Sequence, residues 1–366
     1  MAKDSAKSAQ SSLPFDLGDG SEAPDVAPPN IAPLKPTAVY DTYWRFAVER
    51  QEIFFARAAG KPPPWTEDRI LAEFKFTNAF RAADRVSQYL IRNVIYRSDL
   101  PDSVEEVFFR TLLFKLFNKV ETWELLESEC GPITWSTFRF KRYDEVLSKA
   151  MSAARRIYSA AYIMPSAATF GHASKHSNHL ALLEKMMSDG LPRKIANVSR
   201  MQDGFSLLVD YPSLGDFLAY QFITDVNYSK ITAFSEREFV VPGPGALDGI
   251  KKCFEDTGGL TPAEVIAFTQ QRQDAEFQRL GVTFRSLWGR PLQLIDCQNL
   301  FCEVGKYARE SHPDVKGVSD RTRIKQRFRP RKTRIEYWFP PKWGLNEKIV
   351  GGCGTALPNE VNDGTS

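Results

Sequence analysis

The sequence predicts a mostly α-helical protein, and three observations support this prediction. Nearly every long apolar segment has its apolar residues three to five positions apart, which is the repeat of a helix with one buried face. Helix start and stop signals flank several of these segments. Alternating strand patterns are rare, and FSLLVDY at residues 205–211 is the best example. The chain has 366 residues, 43% of them hydrophobic, which is enough for a large core.

The predicted helices fall in residues 68–96, 103–126, 143–162, 261–281 and 294–309. The second begins with Ser103, followed three residues later by Glu106, as in a capping box. The fourth has Thr261 as its cap and Gly281 as its stop signal.

Composition divides the chain into three parts. Residues 1–38 are rich in Ser, Ala, Asp and Pro, which predicts a disordered leader. Residues 39–345 are densely patterned and are expected to form one helical domain, with a hairpin at 240–254 and a basic segment at 321–343. Residues 346–366 have a loop-like composition, and we expect a flexible tail there.

Overall composition excludes several classes of protein. The net charge is only +3, so a nucleic-acid surface must arise from local clustering of cations. The five cysteines form no CxxC pair, which favours reduced thiols in a cytoplasmic protein. No apolar run reaches about 18 residues, so no membrane span is predicted. The motif G-x-x-x-x-G-K-[ST] is missing, which excludes a P-loop kinase.

The stretch VVPGPGALDGIKKCF at residues 240–254 places a tight turn directly before a helix. Gly243 and Gly245 permit backbone conformations closed to other residues, while Pro242 and Pro244 restrict the remaining freedom. Free N–H groups at such a helix start attract anions such as phosphate. The alternative is an ordinary turn before a core helix.

The segment FKFTNAFRAADR at residues 74–85 mixes polar side chains with aromatic rings. Asn78, Arg81, Asp84 and Arg85 are three or four positions apart and share one face of the expected helix. An Asn can hydrogen-bond the edge of a base, and an Arg can hold a phosphate. The alternative is a solvated face with Asp–Arg pairs.

A similar mixture occurs in YPSLGDFLAYQFITDVNYS at residues 211–229. Its candidate residues are Tyr220, Gln221, Asp225, Asn227 and Tyr228. Stacking combined with hydrogen bonding is what an extruded base requires. The alternative is a packed helix with buried tyrosines.

Ionisable groups lie among apolar residues in LIDCQNLFCEVGKYAR at residues 294–309. Asp296, Glu303 and Lys306 are the candidates. A buried carboxylate at Asp296 could stabilise a developing cation. The alternative is that Asp296 only caps the helix.

The segment RTRIKQRFRPRKTRIEYWFPPKWG at residues 321–344 is dense in cations and carries interleaved aromatic rings. Arg327, Arg329, Arg331 and Lys332 lie at its centre. Cations suit a phosphate backbone, and the rings suit stacking on displaced bases. A charged, solvated loop is the alternative.

Together, the segments at residues 64–90, 211–229, 241–254 and 295–309 resemble one family. It is the family of α-glutamyl/putrescinyl thymine pyrophosphorylases, also called the helical domain of 5-hydroxymethyl-deoxyuridine DNA kinases. That family is in turn similar to helix-hairpin-helix DNA glycosylases. The resemblance implies a mostly α fold with two helical lobes around a DNA-binding cleft.

The resemblance also implies an activity and a set of site residues. We expect a DNA glycosylase that excises a hypermodified or glycosylated hydroxymethyl pyrimidine, leaves an abasic site, and acts in antiphage defence. Asp296 would be catalytic, together with Asn78 and Asp84. The base pocket would comprise Phe76, Thr77, Arg81, Tyr220, Gln221, Asp225, Asn227, Tyr228, Glu303 and Lys306. The DNA contacts would comprise Gly243, Pro244, Gly245, Ala246, Gly249, Lys251, Lys252, Arg327, Arg329, Arg331 and Lys332.

The expected partner is double-stranded DNA with modified bases, as in phage genomes, with no metal, organic cofactor or obligate protein partner. Leu247 occupies the position where bifunctional glycosylases carry a lysine, which implies a monofunctional enzyme. Two other functions stay open. One is an amino-acid or polyamine transferase that displaces pyrophosphate from an activated 5-methylene pyrimidine, and the other is a non-catalytic DNA-binding module.

Overall fold

The computed structural model describes residues 34–160, 164–330 and 335–349, and it confirms a mostly α-helical fold. Within these ranges the helices are α1 (Ala38–Ala58), α2 (Arg69–Glu73), α3 (Arg85–Leu90), α4 (Val104–Phe117), α5 (Val120–Cys130), α6 (Phe140–Ser152), α7 (Lys175–Ser188), α8 (Leu191–Ala196), α9 (Met201–Val209), α10 (Asp216–Val226), α11 (Pro244–Cys253), α12 (Pro262–Gln271), α13 (Gln273–Arg279) and α14 (Leu294–Ser311). A π-helical turn, Ile91–Ile95, extends α3. Among the described residues, no helix is both long and apolar enough to cross a membrane.

Two short strands pair the first described residues of the chain with the residues that follow α11. Strand β1 (Lys35–Pro36) pairs in antiparallel fashion with β2 (Phe254–Asp256). Thr37 then caps α1 by accepting a hydrogen bond from the Val39 N–H. Residues 34–38 are therefore ordered, whereas we expected the leader to extend to residue 38; residues 1–33 lie outside the described part.

Helices α11 and α14 pack against each other so closely that only glycine fits at their crossing. A Cβ atom on Gly249 would lie 1.9 Å from the Phe301 carbonyl oxygen, and one on Gly305 would lie 2.9 Å from the Gly249 Cα. Similar crowding affects Gly243, where a Cβ would lie 2.4 Å from the Phe217 ring. Neither Gly243 nor Gly245 has a positive φ, so the expectation that these two hairpin glycines serve unusual backbone conformations is wrong. Their role is close packing.

A second group of helices surrounds α4, which is buried on nearly all sides. It packs against α5, α7, α8 and α10. The αL conformation of Asn118 (φ 48°) ends α4, and α5 begins two residues later, so the single helix predicted at residues 103–126 is two helices. Ser103 caps α4 as expected, but the Glu106 carboxylate instead accepts the N–H groups of Trp135 and Ser136.

Other predictions of secondary structure have mixed outcomes. The Thr261 cap and the single helix α14 are confirmed, whereas the single helix predicted at residues 261–281 is two helices, α12 and α13. Most of the stretch at residues 205–211, which we predicted as the best strand, forms the end of helix α9, and its last two residues follow that helix. Residues 74–80, expected to be helical, are not, and a single 3₁₀ turn follows at Arg81–Ala83.

The described end of the chain returns to α10. Tyr337, Trp338, Phe339 and Leu345 are buried in the core. The Lys342 ammonium donates to the carbonyl oxygens of Asn227, Ser229 and Thr232, which follow the end of α10. Tyr337, Trp338 and Phe339 are therefore not available for stacking on displaced bases, contrary to expectation.

The helix crossing gives the first testable prediction. We expect Gly249→Ala to lower the free energy of unfolding by at least about 2 kcal/mol, because the new methyl group would force backbone to move apart. Gly215→Ala is the matched control, since its Cβ would meet no atom within 4 Å and its φ is −72°. Urea denaturation of both variants measures the difference, and equal stabilities would contradict the proposed packing role.

Candidate functional site

The segment at residues 74–85 is an irregular chain held in place by side chains from distant helices. The Arg50 guanidinium donates to the Thr77 carbonyl oxygen at 2.9 Å and to Asn78 Oδ1 at 3.0 Å. Asn78 Nδ2 donates to the Ala83 carbonyl oxygen at 2.8 Å. The Thr77 N–H donates to Glu303 Oε2 at 3.0 Å. These contacts replace the main-chain hydrogen bonds that a helix would have made.

Arg81 is the centre of a buried charged network. Its guanidinium is paired with both carboxylate oxygens of Asp225, at 2.7 and 3.0 Å. It also donates to the Tyr228 hydroxyl at 2.8 Å and to Gln221 Oε1 at 3.1 Å. Lys115 on α4 approaches the same carboxylate at 2.9 Å. The network therefore joins residue 81 to α10 and α4.

The ionisation of this network follows from its charges. Burial alone would raise the pKa of the Asp225 carboxyl, but Arg81 and Lys115 outweigh burial and hold that pKa below its usual value. Burial lowers the pKa of Lys115, and the Asp225 carboxylate partly opposes this. Two cations around one anion suit a permanently ionised Asp225.

Asp296 lies in the first turn of α14 and is 4% exposed. Its Oδ1 accepts the Arg81 N–H at 2.8 Å and its Oδ2 accepts the Gln293 N–H at 3.0 Å. Burial raises the pKa of Asp296 to about 6, although both N–H groups oppose the rise. The geometry is that of the helix-capping alternative, because both carboxylate oxygens are already occupied.

Asp84 is half-buried, and its Oδ1 accepts the Asn78 N–H at 2.9 Å. Burial raises its pKa to about 7, the Asn78 N–H opposes the rise, and the Glu303 charge adds to it. Asp84 is thus a carboxyl group that changes charge near neutral pH. Its role as a catalytic group stays a prediction.

Glu303 and Lys306 lie one turn apart on α14. The Lys306 ammonium donates to Glu303 Oε2 at 2.7 Å and to the Lys75 carbonyl oxygen at 2.9 Å. It also lies 4.5 Å from the centre of the Phe76 ring. Both side chains therefore fasten the 74–85 segment to α14.

The remaining candidates of the predicted base pocket have structural partners. Asn227 closes the loop after α10, because its amide binds the N–H and C=O of Phe234. Tyr220 is 1% exposed and packs its ring against Phe239. The structure thus brings most predicted pocket residues together as a packed interior, and a base has no room among them in this conformation.

The predicted DNA-contacting residues fall into accessible and inaccessible sets. Pro244, Gly245 and Lys251 are exposed, whereas Gly243, Ala246 and Gly249 are buried. Lys252 is 3% exposed and donates to the Gly305 carbonyl oxygen at 2.8 Å. Its ammonium cannot reach a phosphate here, so the expectation that it points to DNA does not fit this arrangement.

In the basic segment, Arg327 and Arg329 are exposed. Arg327 forms an ion pair with Glu73 and lies 4.6 Å from the Phe74 ring centre. Arg331 and Lys332 lie outside the described residues.

Among the buried cations that the sequence analysis missed, Arg50 and Lys115 bind candidate residues, namely Asn78 and Asp225. Each stands in an apolar run, Arg50 in an amphipathic helix beside Phe46 and Phe54, and Lys115 between Phe114 and Leu116. A single cation at a position that helical spacing assigns to the core is a signal for a buried partner. It does not identify that partner.

Comparison with known proteins gives the family. The family model described as "5-hmdU DNA kinase, helical domain" matches residues 37–317. A 5-hmdU DNA kinase of Bacillus phage SP10 is 27% identical over 290 residues, which cover 74% of this chain. These residues cover 45% of the relative, so the chain spans less than half of its length. No solved structure matches the chain.

These matches confirm the predicted family but contradict the predicted activity. A kinase transfers a phosphoryl group, whereas a glycosylase hydrolyses the bond between base and sugar, so the expected base excision and abasic product are wrong. The physical reason is that elements able to grip DNA and hold a base serve several chemistries. The further likeness to helix-hairpin-helix glycosylases and the role in antiphage defence gain no support.

The buried network predicts a large effect of one substitution. We expect Arg81→Ala to lower the free energy of unfolding by about 3–5 kcal/mol, because Asp225 loses its main partner in the interior. Arg200→Ala is the control, since its ion pair with Asp203 is exposed to solvent and should contribute little to stability. Urea denaturation measures both, and a similar small loss in each would contradict the network's structural importance.

Asp84 gives a prediction for pH. Its pKa is about 7 in the fold and about 3.9 in an unfolded chain, so the fold binds more protons between these values. Its stabilising contribution is therefore present at acidic pH and lost as the pH rises towards 7, by on the order of 1–3 kcal/mol. Asp84→Asn removes the titrating group while keeping an acceptor for the Asn78 N–H.

Urea denaturation between pH 4 and 7.5 tests this expectation. The variant should lose less stability than the wild type as the pH rises. A variant whose stability falls as steeply as that of the wild type would show that Asp84 titrates normally.

Proposed function

The chain belongs to the family of 5-hmdU DNA kinase helical domains, and we propose that it binds DNA containing 5-hydroxymethyl-deoxyuridine and presents the modified base for phosphorylation. The observation that carries the proposal is the family match over residues 37–317. Residues 39–345 act as one unit in this proposal, because residues 335–345 pack into the same core.

The start of α11 supports binding to a DNA phosphate. Gly243 precedes the helix, Pro244 is its first residue, and no side chain caps it. The N–H group of the exposed Gly245 has no hydrogen-bond partner among the residues that the structure describes. Free N–H groups and the helix dipole favour a phosphate at this position, and the exposed Lys251 adds a cation on the same helix.

The exposed cations that follow residue 320 supply a second contact with the DNA backbone. They are Arg321, Arg323, Lys325, Arg327 and Arg329. Phosphate neutralisation by such side chains is independent of base sequence and weakens with rising salt. The two surfaces position DNA, and recognition of the modified base requires separate contacts.

The phosphoryl donor binds outside this helical domain in our proposal. The sequence contains no G-x-x-x-x-G-K-[ST] loop, and the chain covers 45% of the kinase relative. In the reaction, the hydroxymethyl oxygen attacks the terminal phosphorus of a nucleoside triphosphate, and the P–O bond to the leaving diphosphate breaks. The hydroxyl proton passes to a base. The helical domain holds the hydroxymethyl group in position for that attack.

A binding experiment tests the proposal. We expect the protein to bind a duplex with one 5-hydroxymethyl-deoxyuridine at least about fivefold more tightly than the same duplex with thymidine, since one additional hydrogen bond is worth about 1 kcal/mol. Fluorescence anisotropy at two salt concentrations gives both affinities. Lys251→Ala should weaken binding to the two duplexes equally, because a phosphate contact does not distinguish bases.

Equal affinity of the wild type for the two duplexes would overturn the proposed recognition. Strand breaks at the modified position after alkali treatment would restore base excision as the activity. Intact strands are the expected result.

A further inference from the structure

An open cleft of about 760 Å³ lies between α1, the loop before α2 and the last turns of α14. None of the residues predicted for the base pocket lines it. Aromatic rings contribute from all three sides, namely Phe46, Trp65 and Tyr307. The Phe46 and Tyr307 rings meet edge-on at 5.4 Å.

We propose that the extruded 5-hydroxymethyl pyrimidine nucleotide binds in this cleft. The inference rests on the proposed function and gives it a location. This cleft is a different site from the base pocket predicted at Arg81, Gln221 and Asp225, where every side chain already has a partner in the interior.

The polar groups of the cleft match the chemistry of this base. Glu49 accepts a hydrogen bond from the Thr66 hydroxyl at 2.5 Å, and Asp68 accepts one from the Tyr307 hydroxyl at 2.5 Å. Asp68 also accepts the Leu71 N–H at 2.9 Å on its other oxygen, so both of its oxygens are engaged and it shapes the wall of the cleft. Glu49 accepts only the Thr66 hydroxyl among the described residues, which fixes its carboxylate and leaves Oε2 to accept from the base. The base offers two donors, its N3–H and its hydroxymethyl O–H, and carboxylates only accept. Thymine lacks the second donor, so this pairing discriminates between them.

The charge distribution admits the base and keeps its phosphates at the rim. Glu49, Glu67 and Asp68 repel a phosphate from the interior of the cleft. Arg45 is exposed at the cleft and makes no ion pair among the described residues. Its guanidinium suits the phosphate that flanks an extruded nucleotide.

The cleft is continuous with the basic stretch that we propose as a backbone contact. The Trp65 ring meets the Phe328 ring edge-on at 6.2 Å, and the Arg57 guanidinium lies 5.2 Å from the Trp65 ring centre. Phe328 stands between the exposed Arg327 and Arg329. DNA held along these cations therefore passes the mouth of the cleft.

The test compares the preference for the modified duplex in cleft variants. The variants are Trp65→Ala, Glu49→Gln and Arg45→Ala. For each, the ratio of the affinity for the modified duplex to the affinity for the thymidine duplex is measured. We expect this ratio to fall towards one in Trp65→Ala and Glu49→Gln. The stacking ring is worth about 1–3 kcal/mol, so Trp65→Ala should lose at least about fivefold in affinity for the modified duplex. Arg45→Ala should reduce 2-aminopurine fluorescence from the position opposite the modified base, which reports extrusion.

Trp135→Ala is the matched control, since Trp135 is also half-buried but packs against Phe109 and Phe138 away from the cleft. It should keep the wild-type ratio. Circular dichroism checks folding, and if Trp65→Ala does not fold, the isosteric Glu49→Gln decides.

The outcomes separate the two proposals. Wild-type preference that persists in all cleft variants would overturn the cleft while leaving the proposed function in place. A wild type without preference would overturn the proposed function and this inference with it.

Discussion

The bidentate ion pair of Arg81 and Asp225 is the interaction on which the arrangement of this interior depends. A charge buried without a partner is so costly that the segment bearing Arg81 must reach α10 before either side chain can be enclosed. The Arg81 main chain is fixed independently, because its N–H donates to Asp296 at the start of α14. One residue thereby aligns three parts of the fold that are more than 60 residues apart in sequence.

Because the hydrogen-bonding groups of Arg81 and Asp296 are already engaged inside the protein, these residues have little capacity to bind a ligand. An Arg whose nitrogens are engaged by Asp225, Tyr228 and Gln221 has little capacity left for a ligand. Asp296 is in a similar position, with one N–H on each carboxylate oxygen. To stabilise a developing cation, a carboxylate needs to be ionised and to face the substrate, and Asp296 has a raised pKa and faces the protein. This geometry agrees with the loss of the glycosylase prediction.

The sequence predicted those helices whose caps and apolar repeats lie within the helix itself. The start of α12 was predicted because its cap, Thr261, is a local signal, and α14 was predicted because its apolar face repeats over five turns. The helix predicted at residues 74–80 is absent because the helical spacing of Asn78, Arg81 and Asp84 has another cause. These side chains bind Arg50, Asp225 and the main chain of this same segment. Spacing reveals that polar groups recur, and it does not reveal whether they face solvent or distant charges. The burial of Arg50 and Lys115 was hidden for the same reason.

The hairpin illustrates how a correct motif can be given the wrong physical explanation. Gly243 and Gly245 were assigned to unusual backbone angles, yet neither has a positive φ. Close packing instead explains the glycines here, since Gly249 touches Gly305 of α14 and this contact places the uncapped start of α11 beside α14. Lys252 is buried and hydrogen-bonded at this helix contact, so only Lys251 of the two neighbouring lysines is exposed. In the proposed function, the glycines would act on DNA binding indirectly, by setting where a helix begins. If this surface contacts only phosphate, as proposed, the modified base has to be recognised elsewhere, and an open, aromatic, acceptor-lined cleft beside the basic stretch has the chemistry to do so.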